Sequence, residues 1–307
     1  MRWWISFFLC AAAFASPVDF GMAELNAAIA ARNFKYPPKI MAELDIQAPE
    51  TYRIEPYAAG GGHITGGDLR GLMYGLLEAA EQMRSTGRLK QTHGAPVLAL
   101  RGLRVAAKPQ ESWFSSPEFW NGFFAEMARD RFNRLDIAFD SAPSSDADLP
   151  LRSITQVAQQ YGVDIAIGFG SSNLPAIEDL LKGCPAVRTV ALHGNTLPDA
   201  PELLRVLHDS GRRVVLELAD KESATDLIEA AGQSGAPLRL FSAFNGEFSN
   251  PRPRDTYWEM DASQGPEAVN SISGAGFEIA APADSAGRPS LEGIASWGRS
   301  GYARPAQ

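Results

Sequence analysis

Hydrophobic and polar positions alternate differently in the two parts of the chain. Up to about residue 95 the segments are short and mixed. Met22–Ala31 is Ala-rich and reads as a helix. Lys39–Asp45, Thr51–Glu55 and His63–Thr65 read as short strands, separated by the breakers Gln47-Ala48-Pro49 and Gly60-Gly61-Gly62. An amphipathic helix follows. Leu69, Leu72, Met73, Leu76, Leu77, Ala80 and Met83 recur at helical spacing, with Asp68 at the N-cap position and Gly87 as the stop.

From about Val97 the pattern becomes strand, helix, strand. The strands are Leu98–Val105, Leu135–Phe139, Val163–Phe169, Val187–Leu192, Arg213–Leu218 and Leu238–Phe244. The first intervening helix opens at Ser116-Pro117-Glu118 and buries Phe119, Trp120, Phe123, Phe124 and Met127. Further helices are read at Ile154–Tyr161, Pro175–Leu181, Pro201–Asp209 and Ala224–Ala231. Tyr257–Met260 and Phe277–Ala280 are weaker strand candidates. Six strands plus two, joined by helices, predict an α/β protein: a compact TIM-type (β/α)8 barrel over residues 97–307, preceded by a small α/β unit over residues 16–95. A doubly wound open sheet produces the same alternation and is the alternative. So short a barrel lies near the low end of the ~200 to >400 residues this fold uses, so its strand-to-helix loops are short.

The first residues carry a different signal. A basic start at Arg2, an apolar run from Trp3 to Phe14 and Ala13-Phe14-Ala15 match a secretory signal peptide over residues 1–15, cleaved near Ala15. The run is shorter than the ~20 residues of a spanning helix. Leu9 precedes Cys10 where a lipid-anchoring cysteine needs a small residue, so no stable membrane anchor is expected. The expected location is secreted or periplasmic.

Composition narrows the function classes. The 307 residues are 45% hydrophobic and 21% charged, as in a soluble globular protein. With 28 Lys+Arg against 36 Asp+Glu the net charge is -8, which argues against a nucleic-acid partner. Cleavage removes Cys10 and leaves Cys184 alone, with no disulfide possible within the chain. No His-x-x-x-His or Cys-x-x-Cys spacing points to a metal, and no cofactor is implied. The Gly60–Gly62 run lacks the Lys-Ser/Thr of a phosphate loop, so it reads as a turn.

Several motifs resemble secreted bacterial glycoside hydrolases of the α-glucuronidase and β-hexosaminidase type. Tyr52-Arg53-Ile54, followed by Ile64-Thr65-Gly66-Gly67-Asp68-Leu69-Arg70-Gly71-Leu72-Met73-Tyr74-Gly75, is similar to the end of the small domain that precedes their barrel. Phe119-Trp120 to Asn133, with Met127-Ala128-Arg129 and Arg131-Phe132-Asn133, resembles their first barrel helix. Asn245-Gly246-Glu247 with Pro251-Arg252-Pro253 resembles a sugar-site loop, and Trp297-Gly298-Arg299 with Gly301-Tyr302 a C-terminal signature. The resemblance implies a carbohydrate substrate. It departs at His193-Gly194-Asn195, where α-glucuronidase-like proteins carry a Gly-Glu-Asn element with the expected acid.

Barrel sites lie at the C-terminal ends of strands, which selects the candidates. Glycoside hydrolysis uses two carboxyl groups, ~5–5.5 Å apart for retention or ~6.5–9.5 Å for inversion. Glu217, between Leu216 and Leu218, suits a desolvated acid with raised pKa, and Glu247 is taken as its catalytic partner. Glu217 also fits a structural ion pair, and Glu247 a solvated loop charge. Asp261 and Glu278 compete for the partner role and are grouped with the substrate-binding residues. Asp140, His193, Asn195 and Asn245 complete the polar candidates. Asp140 also fits a capping role, and His193 a structural imidazole. Trp113, on the loop after the first strand, is a candidate sugar platform, whereas Trp120 belongs to the helix stripe. Two functions follow: a glycosidase acting on oligo- or polysaccharide, uronic-acid-bearing fragments included, or a non-catalytic barrel that binds glycan or acts as a scaffold.

Overall fold

The structure, a computed structural model, describes residues 16–58, 60–139, 148–169, 174–192, 215–219, 238–243, 257–272 and 276–303. The leader and the helices read at Pro201–Asp209 and Ala224–Ala231 lie outside the described residues. No helix among the described residues is long and apolar enough to cross a membrane.

The first layer is a five-stranded sheet in the order β1-β3-β2-β4-β13. It contains β1 (Ile40–Leu44), β2 (Tyr52–Pro56), β3 (Gly62–Gly66), β4 (Thr92–Pro96) and β13 (Tyr302–Ala303). β1 runs parallel to β3, and the other pairs are antiparallel. Helices α1 (Pro17–Ala31) and α2 (Leu69–Thr86) pack together, with α2 on the sheet. Ser16 caps α1 and is followed by Pro17, so the helix begins five residues before the Ala-rich run. Asp68 caps α2 by accepting from the Gly71 N–H at 2.6 Å, and Gly87 ends it in a left-handed turn at φ 71°. Leu72, Met73, Leu76, Ala80 and Met83 bury their side chains with Ile54 and Ile64. The Gly60–Gly62 run forms the β2–β3 turn, where the Tyr57 N–H donates to the Gly61 carbonyl at 2.8 Å.

Strands β4 and β13 have no counterpart in the hydrophobic pattern. Thr92-His93-Gly94-Ala95-Pro96 has neither β-branched alternation nor a hydrophobic run. Its pairing is supplied by β2 on one side and by the far end of the chain on the other. The Val97 and Leu98 N–H groups both donate to the Gly301 carbonyl at 3.1 Å, so the barrel's first strand starts two residues later than its apolar run.

That barrel consists of β5 (Leu100–Ala106), β6 (Arg134–Phe139), β7 (Asp164–Phe169), β8 (Thr189–Leu192), β9 (Val215–Ala219), β10 (Leu238–Ala243), β11 (Tyr257–Met260) and β12 (Gly276–Ala280). All neighbours are parallel, and β12 pairs with β5 to complete the ring. Following the pairing from Arg239 through β9, β8, β7 and β6 leads to Ala106. Phe241, two residues further on, leads through β11 and β12 to Leu100. The two routes meet with a stagger of eight residues, the shear of an eight-stranded barrel of this type. Outside it lie α3 (Pro117–Arg129), α4 (Asp148–Gln160) and α5 (Leu174–Gly183), with α6 (Ala295–Ser300) near the chain's end. Outward residues Leu103, Val105, Leu135, Ile137, Ile165 and Ile167 are buried.

One carboxylate ties the first sheet to the N-terminal ends of the barrel strands. Glu50 sits between β1 and β2 in a left-handed conformation, φ 59°, that a non-glycine residue adopts at a cost. Its N–H donates to Asp68 at 3.1 Å, and its carbonyl accepts from the Tyr302 hydroxyl. Its buried carboxylate accepts from Arg70 at 2.7 Å, from Asn133 at 2.8 Å and from Arg101. Arg101 is wholly buried and also donates to the carbonyls of Leu98 and Arg131 at 2.6 and 2.7 Å. Arg70 reaches on to Asp164 at the start of β7, at 2.9 Å. Burial pushes the Glu50 carboxyl up, but Arg101 and Arg70 outweigh it and hold its pKa below the ordinary value.

Glu50→Gln is expected to cost about 3–5 kcal/mol of stability in urea denaturation, because Arg101 stays buried without its counter-charge. A loss below about 1 kcal/mol, the range of exposed pairs, would contradict this. Because the folded-state pKa is depressed, the stabilisation is present above the ordinary value of 4.5 and fades as pH falls below it. The Gln variant therefore loses part of the wild-type sensitivity to acid.

Candidate active site

Side chains along a barrel strand alternate between the helices outside and the interior. The register places Gly102, Arg104 and Ala106 of β5 beside Arg134, Asp136 and Ala138 of β6. On the other side Gly102 and Arg104 meet Glu278 and Ala280 of β12, and Glu278 meets Glu259 of β11. The inward face of these strands is therefore charged in its middle and small at its C-terminal end.

The charged residues converge on one guanidinium. Arg104 Nη2 lies 2.6 Å from Glu278 Oε1 and also contacts Glu259 Oε1. Arg104 Nε is 3.6 Å from Asp136 Oδ2. Arg134 Nη2 approaches the other Glu278 oxygen at 3.9 Å. Glu259 and Glu278 thus share one guanidinium nitrogen as their counter-charge. Gly102 makes room for the cluster, since a Cβ there would sit 3.3 Å from Glu278 Cγ.

Depth separates the members. The side chains of Asp136 and Glu278 are 0% and 1% exposed, whereas those of Arg104 and Glu259 are 25% and 31% exposed. Ala106 and Ala280 are themselves exposed, and Ala138 is half-buried. Toward the C-terminal ends of these strands Arg104 and Glu259 are the members of the cluster open to water. Burial opposes the charge on Arg104, but Glu278, Asp136 and Glu259 more than offset it and raise its pKa.

The residues picked out from the sequence fall in different places. Glu278 belongs to the charged cluster. Glu217 lies on β9, paired with Ala191 and Arg239. Asp261 is exposed and caps the short 3-10 helix Ala262–Gln264, accepting from the Ser263 N–H at 2.8 Å, which holds its carboxyl below the ordinary range. Trp113 follows β5 but is only 6% exposed. Its ring lies 5.1 Å from Phe119 and 5.7 Å from both Phe114 and Trp120, within the aromatic cluster beneath the loop. Asp140, His193, Asn195, Asn245 and Glu247 lie outside the described residues.

Arg104, Asp136 and Glu259 were not singled out from the sequence. Their signal is a charge between apolar neighbours: Arg134-Leu135-Asp136-Ile137 alternates charged and apolar residues, and Arg104 and Glu259 stand singly in Leu103-Arg104-Val105 and Trp258-Glu259-Met260. A strand enclosed on both faces carries such charges only where they pair in the interior.

No family model matches the chain, and no curated protein matches it. Solved structures share its fold. A GH138 enzyme targeting pectin rhamnogalacturonan II superposes with a TM-score of 0.68 at 15% identity, over 94% of this chain and 49% of that one. A family GH115 4-O-methyl-α-glucuronidase with specificity for decorated arabinogalactans gives 0.55 at 12% identity, over 88% of this chain and 53% of that one. A glycoside hydrolase family 20 β-N-acetylglucosaminidase gives 0.55 at 14% identity, over 91% and 86%. At these identities the likeness is one of fold. The chain spans about half the length of the first two.

Arg104→Met removes the cation from among three carboxylates. The expected result is a stability loss of about 3 kcal/mol at neutral pH. That loss should shrink as pH is lowered toward about 5, because stranded carboxylates with raised folded-state pKa take up protons in the folded protein. Chemical denaturation at several pH values checks this, and a loss independent of pH would contradict it.

Proposed function

We propose that this chain is a secreted glycoside-hydrolase-like protein that takes a carbohydrate at the barrel mouth and hydrolyses a glycosidic bond with two carboxyl groups. The observation that carries the reading is the acidic cluster open to water through Arg104 and Glu259, in a fold shared with three glycoside hydrolases. Three carboxylates face Arg104 and Arg134, a local excess of negative charge. A further carboxyl brought to such a site is harder to ionise. That suits an acid that must hold its proton until the leaving oxygen accepts it.

Glu217 and Glu247 are the proposed pair. One donates a proton to the leaving oxygen. The other, ionised, assists attack at the sugar carbon, and water completes the cleavage. Glu259 extends this set as the carboxylate on the open side of the cluster. Asp140, His193, Asn195, Asn245 and Asp261 are proposed partners for sugar hydroxyls, and Glu278 acts from beneath by holding Arg104. Trp113 is assigned to the support of its loop. The substrate class is an oligo- or polysaccharide fragment, uronic-acid-bearing ones included. Residues 1–15 as a leader, 16–95 as a small first domain and 97–307 as the barrel belong to the same proposal.

The test is turnover of aryl glycosides and uronic-acid oligosaccharides by the mature chain. Glu217→Gln and Glu247→Gln should each lower kcat/KM at least about 100-fold, the scale of a lost general acid or base. Full hydrolysis by both variants would overturn the assignment of the pair. Glycan binding by calorimetry with no turnover of any substrate would instead identify a non-catalytic carbohydrate-binding barrel.

A further inference from the structure

The first sheet ends on one side in β1, far in the pairing order from the strands that meet the barrel. Among the described residues β1 pairs with β3 alone. All its residues but Ile40 are exposed, and so are the flanking Lys39, Asp45 and Ile46. Met41, Leu44 and Ile46 are large apolar side chains left in water. Such an edge is ordinarily blunted by lysine, proline or a bulge within the strand. Ile40-Met41-Ala42-Glu43-Leu44 has neither lysine nor proline, and Pro37-Pro38 only bounds it at one end.

The backbone direction is set by two bonds. The Gly62 N–H donates to the Lys39 carbonyl at 3.0 Å, and the Asp45 N–H donates to the Gly66 carbonyl at 2.9 Å. Lys39 and Asp45 therefore face β3. In a parallel ladder alternate residues turn away from the partner, so Ile40, Ala42 and Leu44 direct both N–H and C=O outward. A two-fold axis can then lie at any residue from 40 to 44, through a hydrogen-bonded pair at an even position and a non-hydrogen-bonded pair at an odd one.

We propose that two copies of this chain pair antiparallel along β1, about a two-fold axis at Ala42. In that register Ala42 faces Ala42 of the second copy, and Ile40 faces Leu44. Lys39 faces Asp45 of the second copy in a non-hydrogen-bonded position, where side chains stand closest. Symmetry makes both charge pairs twice over. This register alone pairs Ile40, Ala42 and Leu44 wholly with one another: an axis at Met41 sets Lys39 against Glu43 but leaves Leu44 opposite Pro38, which has no N–H, and an axis at Glu43 sets Glu43 against itself. An axis at Leu44 sets Glu43 against Asp45, a like-charge pair, and an axis at Ile40 leaves Lys39 opposite Met41. Glu43 bonds His63 of its own sheet at 2.9 Å, and Asp45 accepts from the neighbouring Ile46 N–H at 2.7 Å and from Gln47 at 3.2 Å, which leaves further lone pairs for a lysine. The two five-stranded sheets become one of ten strands, and the two-fold closes the assembly at a dimer. The contact is short, so the dimer is reversible.

Sedimentation velocity of the mature chain over roughly 1–200 µM tests this. A monomer–dimer equilibrium is expected. Ala42→Pro removes an N–H that β3 does not use, at an edge position where proline is tolerated, and should leave a folded monomer. Lys39→Asp should weaken dimerisation roughly tenfold, and Lys39→Asp with Asp45→Lys should restore it, which holds as a test even where the proline variant fails to fold. A monomer throughout, or a dimer indifferent to both the proline and the single charge reversal, would overturn the proposal.

Discussion

Glu50 joins the two parts of the molecule. Its carboxylate is shared by Arg70 of α2, Arg101 of β5 and Asn133 at the start of β6, and its carbonyl by Tyr302 of β13. Each partner comes from a different element, so the sheet, the helix, the barrel floor and the chain's end are positioned by a single residue. The surroundings reinforce it: the Tyr52 and Tyr302 rings stack with centroids 6.1 Å apart, and the Arg101 and Arg131 guanidiniums lie 5.4 and 5.9 Å from the Tyr302 ring. A buried cation such as Arg101 is tolerable only with its counter-charge in place. The left-handed backbone at Glu50 is the local strain this arrangement accepts.

The joint lies at the N-terminal ends of the barrel strands, opposite the proposed site. Conserving the floor for stability and the C-terminal mouth for function is the division of labour of this fold. Here the same strands serve both ends. Arg101 of β5 binds Glu50 below, and Arg104, three residues on, gathers Glu259, Glu278 and Asp136 within the interior. Two separate ion clusters thus hold one strand. The upper one is partly open to water, through Arg104 and Glu259.

Much of the fold was legible because local rules agreed with one another. Asp68 and Ser116 cap the helices expected of them, and the strands of the barrel lie within a few residues of their apolar runs. Strands β4 and β13 were not legible, since Gly94 and Pro96 carry no strand signal and their pairing comes from residues some 200 positions apart. The site was legible only in part. Glu278 was a candidate carboxylate of the eighth strand, and it lies in the cluster. Asp136 and Glu259 stand singly between apolar neighbours, and what marks them is the face of the strand they share with the other charges, which only the pairing of strands distant in sequence reveals. Trp113 illustrates the converse. Its position on a rim loop suggested exposure, but Phe114, Phe119 and Trp120 surround its ring.

The proposed site holds a carbohydrate at the C-terminal mouth above Arg104 and Glu259. A crystal structure of the mature chain soaked with an oligosaccharide that it binds tests this most directly. The expected result is a sugar ring seated over Arg104 and Glu259, with a hydroxyl or glycosidic oxygen within hydrogen-bond reach of Glu259. A sugar bound only elsewhere, with the mouth empty, would contradict it.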